Sequence, residues 1–136
     1  CTYTATSSIS TLSLHAALPI CYDVIATDNP FGDILTDLGG AVAGGVGFAA
    51  SANLNPARTG PSMFEPVHGT APDIVGAGKA NPVAAIVSLG LMLEHLGETE
   101  AAAAVAAACD DPQRYSGSTE EIGSTIANTV ADAMGN

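Results

Sequence analysis

The order of hydrophobic and polar positions along the chain predicts a strand followed by a helix near the start. Residues 22–27 form a run rich in Val and Ile, which predicts a buried strand. Asn29 and Pro30 predict the start of a helix, because Asn is a favourable N-cap and Pro is accepted at the first helical position. Apolar residues at helical spacing continue this helix, and Gly44 and Gly45 are expected to end it.

The same signals predict the remaining elements. We expect strands at 47–54 and 62–67, with a loop at 55–61 between them and one helical turn at 73–76. Helices are predicted at 83–96, 98–109 and 119–134; Asn81 and Pro82 precede the first, and Ser118 with Glu121 forms a capping box for the last. Strands that alternate with helices predict an α/β protein.

The first 20 residues differ in composition from the rest of the chain. They are rich in Ser and Thr, lack helical and strand periodicity, and lack the basic start and long apolar run of a signal peptide. The stretch SLHAALPI resembles translated adapter or cloning sequence. We therefore expect residues 1–20 to be non-native or disordered, and residues 21–136 to form the C-terminal part of a domain.

Composition excludes several classes of protein. The chain has 136 residues and a formal net charge of −11, with 14 acidic residues against three Lys and Arg. Nucleic-acid binding needs clustered Lys and Arg, and an anionic membrane surface would repel such a chain. No run of about 18 apolar residues is present, so no transmembrane helix is predicted. The three Cys residues are too widely spaced for a zinc site and indicate free thiols in a reducing, cytoplasmic compartment.

Asp33 and Asp37 form the first candidate site. Four residues apart on a helix, their Cβ atoms would lie about 5–6 Å apart on one face. Two carboxylates so placed suit Mg²⁺ or Mn²⁺, which take few protein carboxylates plus water and substrate oxygens. The alternative is a solvated helix face, since acidic residues early in a helix also interact well with its dipole.

A second candidate site lies in the segment EPVHGTAPDI, residues 65–74. Two prolines and a glycine make a rigid loop that presents the carboxylates of Glu65 and Asp73 and the imidazole of His68. His68 could stack or hydrogen-bond, and Asp73 could accept hydrogen bonds from a ribose diol. The alternative is a turn whose polar groups satisfy only the local backbone.

Residues 45–50 match the pattern GxGxxA of a classical dinucleotide fingerprint. The context argues against that site, because helix-period sequence precedes the motif and a Pro-containing segment follows it. We expect no Rossmann phosphate-binding turn there.

The runs TDNPFGDILTDL and SANLNPARTGPSMFEPVHGTAPDIVGAGKANPVAAI resemble the isocitrate/isopropylmalate dehydrogenase family of β-decarboxylating dehydrogenases. The similarity extends from Tyr22 to the C-terminus. FGDILTDL and EPVHGTAPDI are most similar to members that act on 3-isopropylmalate; members that act on tartrate or D-malate are the nearest alternative. The resemblance implies the C-terminal portion of a two-domain α/β fold, incomplete in this chain.

The family resemblance also implies a reaction and its cofactors. The reaction is NAD-dependent oxidation of a 2-hydroxy dicarboxylate followed by loss of CO₂, here in leucine biosynthesis. Asp33 and Asp37 would be two ligands of Mg²⁺ or Mn²⁺. The implied NAD site comprises Glu65 near the nicotinamide ribose, His68 by the adenine, Gly69, Thr70 and Ala71 as loop backbone, Asp73 on the ribose hydroxyls, Ile74 beside them, and Asn81 at the adenine edge.

Some family features have no counterpart in the sequence. A third metal Asp is expected about 24 residues before Asp33, where Ile9 stands. The Tyr and Lys of catalysis and the Arg residues that hold the substrate would precede this chain, so we assign no catalytic residue. We expect the full-length enzyme to be a homodimer and the 136-residue chain to be inactive. A catalytically dead nucleotide-binding module is the alternative from another class.

Overall fold

A computed structural model describes residues 25–42, 44–111 and 114–135 of the chain. The chain divides into two compact units, residues 1–39 and 40–136. Each unit is described by itself below. The prediction for residues 1–20, like most of the predicted strand at 22–27, lies outside the described residues. Residues 25–27 are described and have no regular secondary structure.

The first helix, α1 (Asn29–Val42), confirms the predicted boundaries to within one residue. It begins at Asn29, and the Gly32 amide donates to the carbonyl of Asp28 at 2.8 Å. Pro30 therefore occupies the second helical position. At the other end Gly44 and Gly45 have φ angles of 119° and 115°, which are unfavourable for other residues and end the helix as predicted.

An antiparallel hairpin follows in the second unit. Strand β1 (Ala50–Asn53) pairs with β2 (Met63–Pro66), and Ser51 lies opposite Glu65. The predicted strand at 47–54 was wrong at its start, because Val46–Phe48 form a 3₁₀ turn. The Phe48 amide donates to the Gly45 carbonyl at 3.1 Å, and Phe48 packs against the core. Core packing of Phe48 thus bends the backbone at the start of the segment that was expected to be an extended strand.

Three further helices follow the hairpin in the second unit: α2 (Val83–Leu96), α3 (Thr99–Ala108) and α4 (Thr119–Ala133). Their positions confirm the predictions. Gly97, with a φ of 90°, ends α2. Ser118 and Glu121 form the predicted capping box at the start of α4. Helix α2 packs against both strands and against α3, and α3 contacts α4.

The hydrophobic core of the second unit lies among these helices. Five of the buried residues described there form one cluster: Val83, Ala108, Cys109, Ile122 and Ile126. Partly buried side chains pack against this cluster, namely Phe48, Ile86, Val87, Tyr115 and Val130. The hydroxyl of Tyr115 donates to the Ala108 carbonyl at 2.6 Å, which satisfies both groups. Burial, and secondarily the charge of Asp110, raises the pKa of the Cys109 thiol.

The hairpin is fixed to the far end of α2 by Arg58 and His95. The Arg58 side chain donates to the His95 carbonyl at 2.5 Å, placing a positive charge at the helix C-terminus, where the dipole favours it. The His95 ring lies beside the Phe64 ring, with centroids 5.6 Å apart. His95 is therefore a packing residue.

The described residues combine helices with a sheet, which confirms the predicted α/β class. None of the helices among them has the length and apolar character needed to cross a membrane.

Candidate functional site

Asp33 and Asp37 lie on α1, and both side chains are exposed. Thr36 lies between them, but its hydroxyl donates to the backbone carbonyls of Gly32 and Asp33 at 3.0 and 3.1 Å. The hydroxyl is thus engaged with the helix backbone. The helix therefore offers two carboxylates, one turn apart, to solvent.

These two carboxylates fit a hard divalent cation that completes its shell elsewhere. Mg²⁺ commonly takes one or two carboxylates and fills the remaining positions with water and substrate oxygens. Within the described ranges, no group of three or more His, Cys, Asp or Glu residues is placed to hold a metal ion. The Asp33–Asp37 pair could supply part of the ligand set of such an ion.

The second candidate site follows β2 in the other unit. The Val67 amide donates to the Ala49 carbonyl at 3.0 Å, so the hairpin pairing continues to the edge of the loop. The chain then passes through residues 68–71, which are exposed, into a 3₁₀ turn at Pro72–Ile74. The Ile74 amide donates to the Ala71 carbonyl at 3.1 Å and closes this turn. Ile74 itself is half-buried.

The imidazole of His68 is oriented by the loop backbone. Its Nδ1 lies 3.1 Å from the carbonyl oxygen of Gly69. A carbonyl only accepts, so Nδ1 carries the proton in this contact. In the neutral ring Nε2 is then an acceptor, and the exposed ring presents a flat face to solvent. Such a ring can stack on a base and accept a hydrogen bond from it.

Asp73 lies in the first turn of the 3₁₀ segment, with its side chain exposed. Its carboxylate can accept hydrogen bonds from two neighbouring hydroxyl groups, as a ribose diol presents them. The same charge would repel a phosphate ester on that ribose.

Glu65 and Asn81 lie at the two margins of the loop. Glu65 is exposed on β2. Asn81 accepts a hydrogen bond at Oδ1 from the Val83 amide, the first amide of α2, at 2.9 Å. This bond uses the amide oxygen, and the NH₂ group of Asn81 takes no part in it.

The candidate NAD residues all belong to one continuous stretch of sequence in the second unit, from Glu65 to Asn81. The two metal candidates lie in the first unit. A cavity of about 280 Å³ between α2 and α3 contains none of the candidates; it is lined by Val87, Gly90, Leu91, Glu94, Thr99, Ala102, Ala103, Val105 and Ala106.

Thr119 is a residue that sequence reasoning missed. Its amide donates to the Gly78 carbonyl at 2.8 Å, and its hydroxyl donates to the Ala80 carbonyl. Both carbonyls belong to the segment that leads from the loop to Asn81. The capping box identified Thr119 only as the first residue of a helix, so nothing in its local sequence pointed to this contact.

The GxGxxA motif at 45–50 does not have the structure of a dinucleotide fingerprint. A fingerprint follows a strand and opens a helix. Here helix α1 precedes the motif, which contains the 3₁₀ turn and leads into β1. The order of elements around the motif therefore differs from that of a fingerprint, as its sequence context indicated.

The chain is similar in sequence to members of one protein family. The sequence model of the isocitrate/isopropylmalate dehydrogenase family matches residues 12–136. The 3-isopropylmalate dehydrogenase of Thermobifida fusca is 58% identical over 120 residues, covering 84% of this chain and 34% of the relative. That of Nocardia farcinica is 60% identical over 112 residues, covering 80% of this chain and 33% of the relative.

A third relative, the 3-isopropylmalate dehydrogenase of Beutenbergia cavernae, is 56% identical over 117 residues, covering 83% of this chain and 34% of the relative. The chain thus spans about a third of the length of the curated relatives it matches. Because the family match covers most of the sequence, the chain belongs to the isocitrate/isopropylmalate dehydrogenase family.

Proposed function

We propose that these residues supply the adenosine-binding loop and two metal ligands of a dehydrogenase that oxidatively decarboxylates 3-isopropylmalate with NAD, in leucine biosynthesis. The observation that carries the proposal is the exposed loop after β2, which presents an oriented imidazole at His68 and a free carboxylate at Asp73. The substrate is taken from these three relatives, each of which is a 3-isopropylmalate dehydrogenase. Tartrate and D-malate are the competing substrates.

The loop chemistry favours NAD as the nucleotide. Asp73 can hold the two ribose hydroxyls of the adenosine half, while its negative charge disfavours the 2′-phosphate of NADP. The face of His68 can stack on the adenine, and the half-buried Ile74 supplies apolar contact beside it. Gly69, Thr70 and Ala71 contribute backbone, and Glu65 lies toward the nicotinamide ribose. NAD itself supplies the acceptor for the hydride.

Asp33 and Asp37 would hold Mg²⁺ or Mn²⁺. When bound, such an ion supplies positive charge where negative charge develops on the substrate oxygens. The two carboxylates alone leave most coordination positions open, which is appropriate for a site that also binds a dicarboxylate substrate. The chain's part in the chemistry is to place the two Asp carboxylates on one rigid helix.

The chain holds few groups that could bind the dicarboxylate. It contains three Lys and Arg residues in all, at a formal net charge of −11. Of these, Arg58 is engaged at the end of α2, and Arg114 lies over the Tyr115 ring at 5.9 Å. We therefore propose that the 136-residue chain binds nucleotide without oxidising 3-isopropylmalate. We also propose a homodimeric, cytoplasmic enzyme, by analogy with the family.

Isothermal titration of the chain with NAD⁺ and with NADP⁺ tests the nucleotide assignment. We expect NAD⁺ to bind more tightly than NADP⁺. Asp73→Asn should weaken NAD⁺ binding about tenfold, since a hydrogen bond to a charged group contributes about 1.5–3 kcal/mol and Asn retains part of it. The preference for NAD⁺ over NADP⁺ should narrow in this variant.

Asp132→Asn is the matched control, because Asp132 is also exposed but lies on α4 outside the loop. Equal affinities in the two variants would contradict the role of Asp73. The same titration with Mn²⁺ should show binding that Asp33→Asn weakens and Asp132→Asn leaves unchanged. Turnover of 3-isopropylmalate by the chain with NAD⁺ and Mn²⁺ would contradict its proposed inactivity.

A further inference from the structure

The segment after the candidate NAD loop follows an irregular path. Residues 75–82 contain no regular helix or strand, and Gly76 and Gly78 have φ angles of 75° and 63°. Local bonds shape its start, where the Ala77 amide donates to the Ile74 carbonyl at 3.0 Å. Asn81, at its end, accepts a hydrogen bond from the first amide of α2 and is also a candidate adenine contact. Its position therefore depends on how residues 78–80 are held.

Thr119 holds that segment from a distant part of the chain. Its amide donates to Gly78 at 2.8 Å and its Oγ1 donates to the carbonyl of Ala80, 39 residues away in sequence. The two accepting carbonyls lie on either side of Lys79. One residue therefore fixes two peptide groups, which restrains the direction in which the chain enters Asn81.

The donor is itself rigidly placed. The first amides of a helix have no partner within the helix, and the Thr119 amide is one of them. Ser118 and Glu121 fix the start of α4 through the capping box, in which Glu121 Oε2 accepts from the Ser118 amide at 2.8 Å. Ile122, one turn further on, is buried in the core. The loop segment is thus tied to the core through α4.

We propose that Thr119 is a positioning residue for nucleotide binding: its two hydrogen bonds hold residues 78–80 so that Asn81 and the loop before it keep the geometry that adenosine requires. The inference rests on the proposed function. Thr119 does not itself contact the nucleotide, and its effect passes through the backbone of Gly78 and Ala80.

The test compares three variants of the full chain. Thr119→Val removes the hydroxyl and keeps the shape, while Thr119→Ser restores the hydroxyl. Thr129→Val is the matched control, because Thr129 lies on the same helix, is also half-buried, and donates from Oγ1 to the Thr125 carbonyl at 2.9 Å. Far-UV circular dichroism checks that each variant keeps its helix content.

Isothermal titration with NAD⁺ is the first measurement. Loss of one neutral hydrogen bond should raise the Kd of Thr119→Val about two- to tenfold. Thr119→Ser and Thr129→Val should stay within about twofold of the unmodified chain. Unchanged affinity in Thr119→Val, or an equal loss in Thr129→Val, would overturn the proposal.

Hydrogen–deuterium exchange of the ligand-free chain is the second measurement, and it separates this inference from the proposed function. Amides of residues 76–81 should exchange faster in Thr119→Val than in the unmodified chain, and no faster in Thr129→Val. If the unmodified chain binds no NAD⁺, the nucleotide assignment fails while this comparison still decides whether Thr119 positions the loop. Equal exchange in both valine variants would refute the positioning role.

Discussion

Replacing Gly90 by Ala should destabilise the second unit, although the same change usually stabilises a helix. Gly90 lies within α2 where that helix meets α3. A Cβ atom built on it would lie 3.2 Å from Cγ1 of Val105 and 3.7 Å from Cβ of Val105. Val105 is only 5% exposed, so it is surrounded by other atoms.

The magnitude follows from two opposing terms. Ala in place of Gly in a helix interior contributes about 1 kcal/mol of stability. Overpacking a closely packed contact costs about 1–3 kcal/mol. Val105 cannot rotate freely away, because a β-branched side chain has one strongly preferred χ1 rotamer in a helix. Val105 or the helix backbone must then shift by a few tenths of an ångström. We expect Gly90→Ala to lower the free energy of unfolding by about 0–2 kcal/mol.

Gly123→Ala is the control, since Gly123 lies within α4 and an added Cβ there meets no atom within 4 Å. This variant should be more stable than the unmodified chain by about 0.5–1 kcal/mol. Urea denaturation gives both values, and the two variants should differ by about 0.5–3 kcal/mol. If Gly90→Ala stabilises the chain as much as Gly123→Ala does, the α2–α3 contact is not as close as described and the reasoning fails.

Two further predictions concern α4. Ile126→Ala should lower the free energy of unfolding, measured by urea denaturation, by about 2–5 kcal/mol, because Ile126 is 1% exposed in the core. Asn128 is exposed on the same helix, and Asn128→Ala should change that free energy by less than about 0.5 kcal/mol. Similar effects of the two substitutions would contradict the described core. Hydrogen bonds from the Ser118 backbone amide and, to a smaller extent, from the Ser118 side chain lower the pKa of Glu121 from its ordinary 4.5. The stabilising contribution of the Glu121 carboxylate is therefore complete above pH 4.5 and is lost as the pH falls through the lowered pKa. Thermal unfolding from pH 7 down to pH 3 should therefore show a smaller loss of stability in Glu121→Gln than in the unmodified chain, and parallel pH profiles would refute it.

Most helix boundaries could be predicted from the sequence because the signals that set them are local. Gly44, Gly97, Asn81 and the Ser118–Glu121 pair each act on backbone groups within a few residues of themselves. The loop with His68 and Asp73 could also be identified, since its Pro and Gly residues determine a turn without help from the rest of the chain.

The first predicted strand of the hairpin shows where local signals fail. Residues 47–54 have the composition of a strand, but Phe48 packs on the core, and the 3₁₀ turn that puts it there takes up the first part of the predicted strand. The preference of a short apolar segment for an extended backbone is weak, and burial of one aromatic side chain outweighs it.

The sequence by itself determined where the helices begin and end, which loop carries the candidate nucleotide groups, and which two carboxylates share a helix face. Only the tertiary structure decided that Thr119 holds the loop through Ala80, 39 residues away, and that Arg58 caps the helix ending beyond His95, 37 residues away. The physical reason is the range of the interactions. A cap or a turn is specified by adjacent residues, whereas a bond between distant residues forms only after core packing has brought their backbones together.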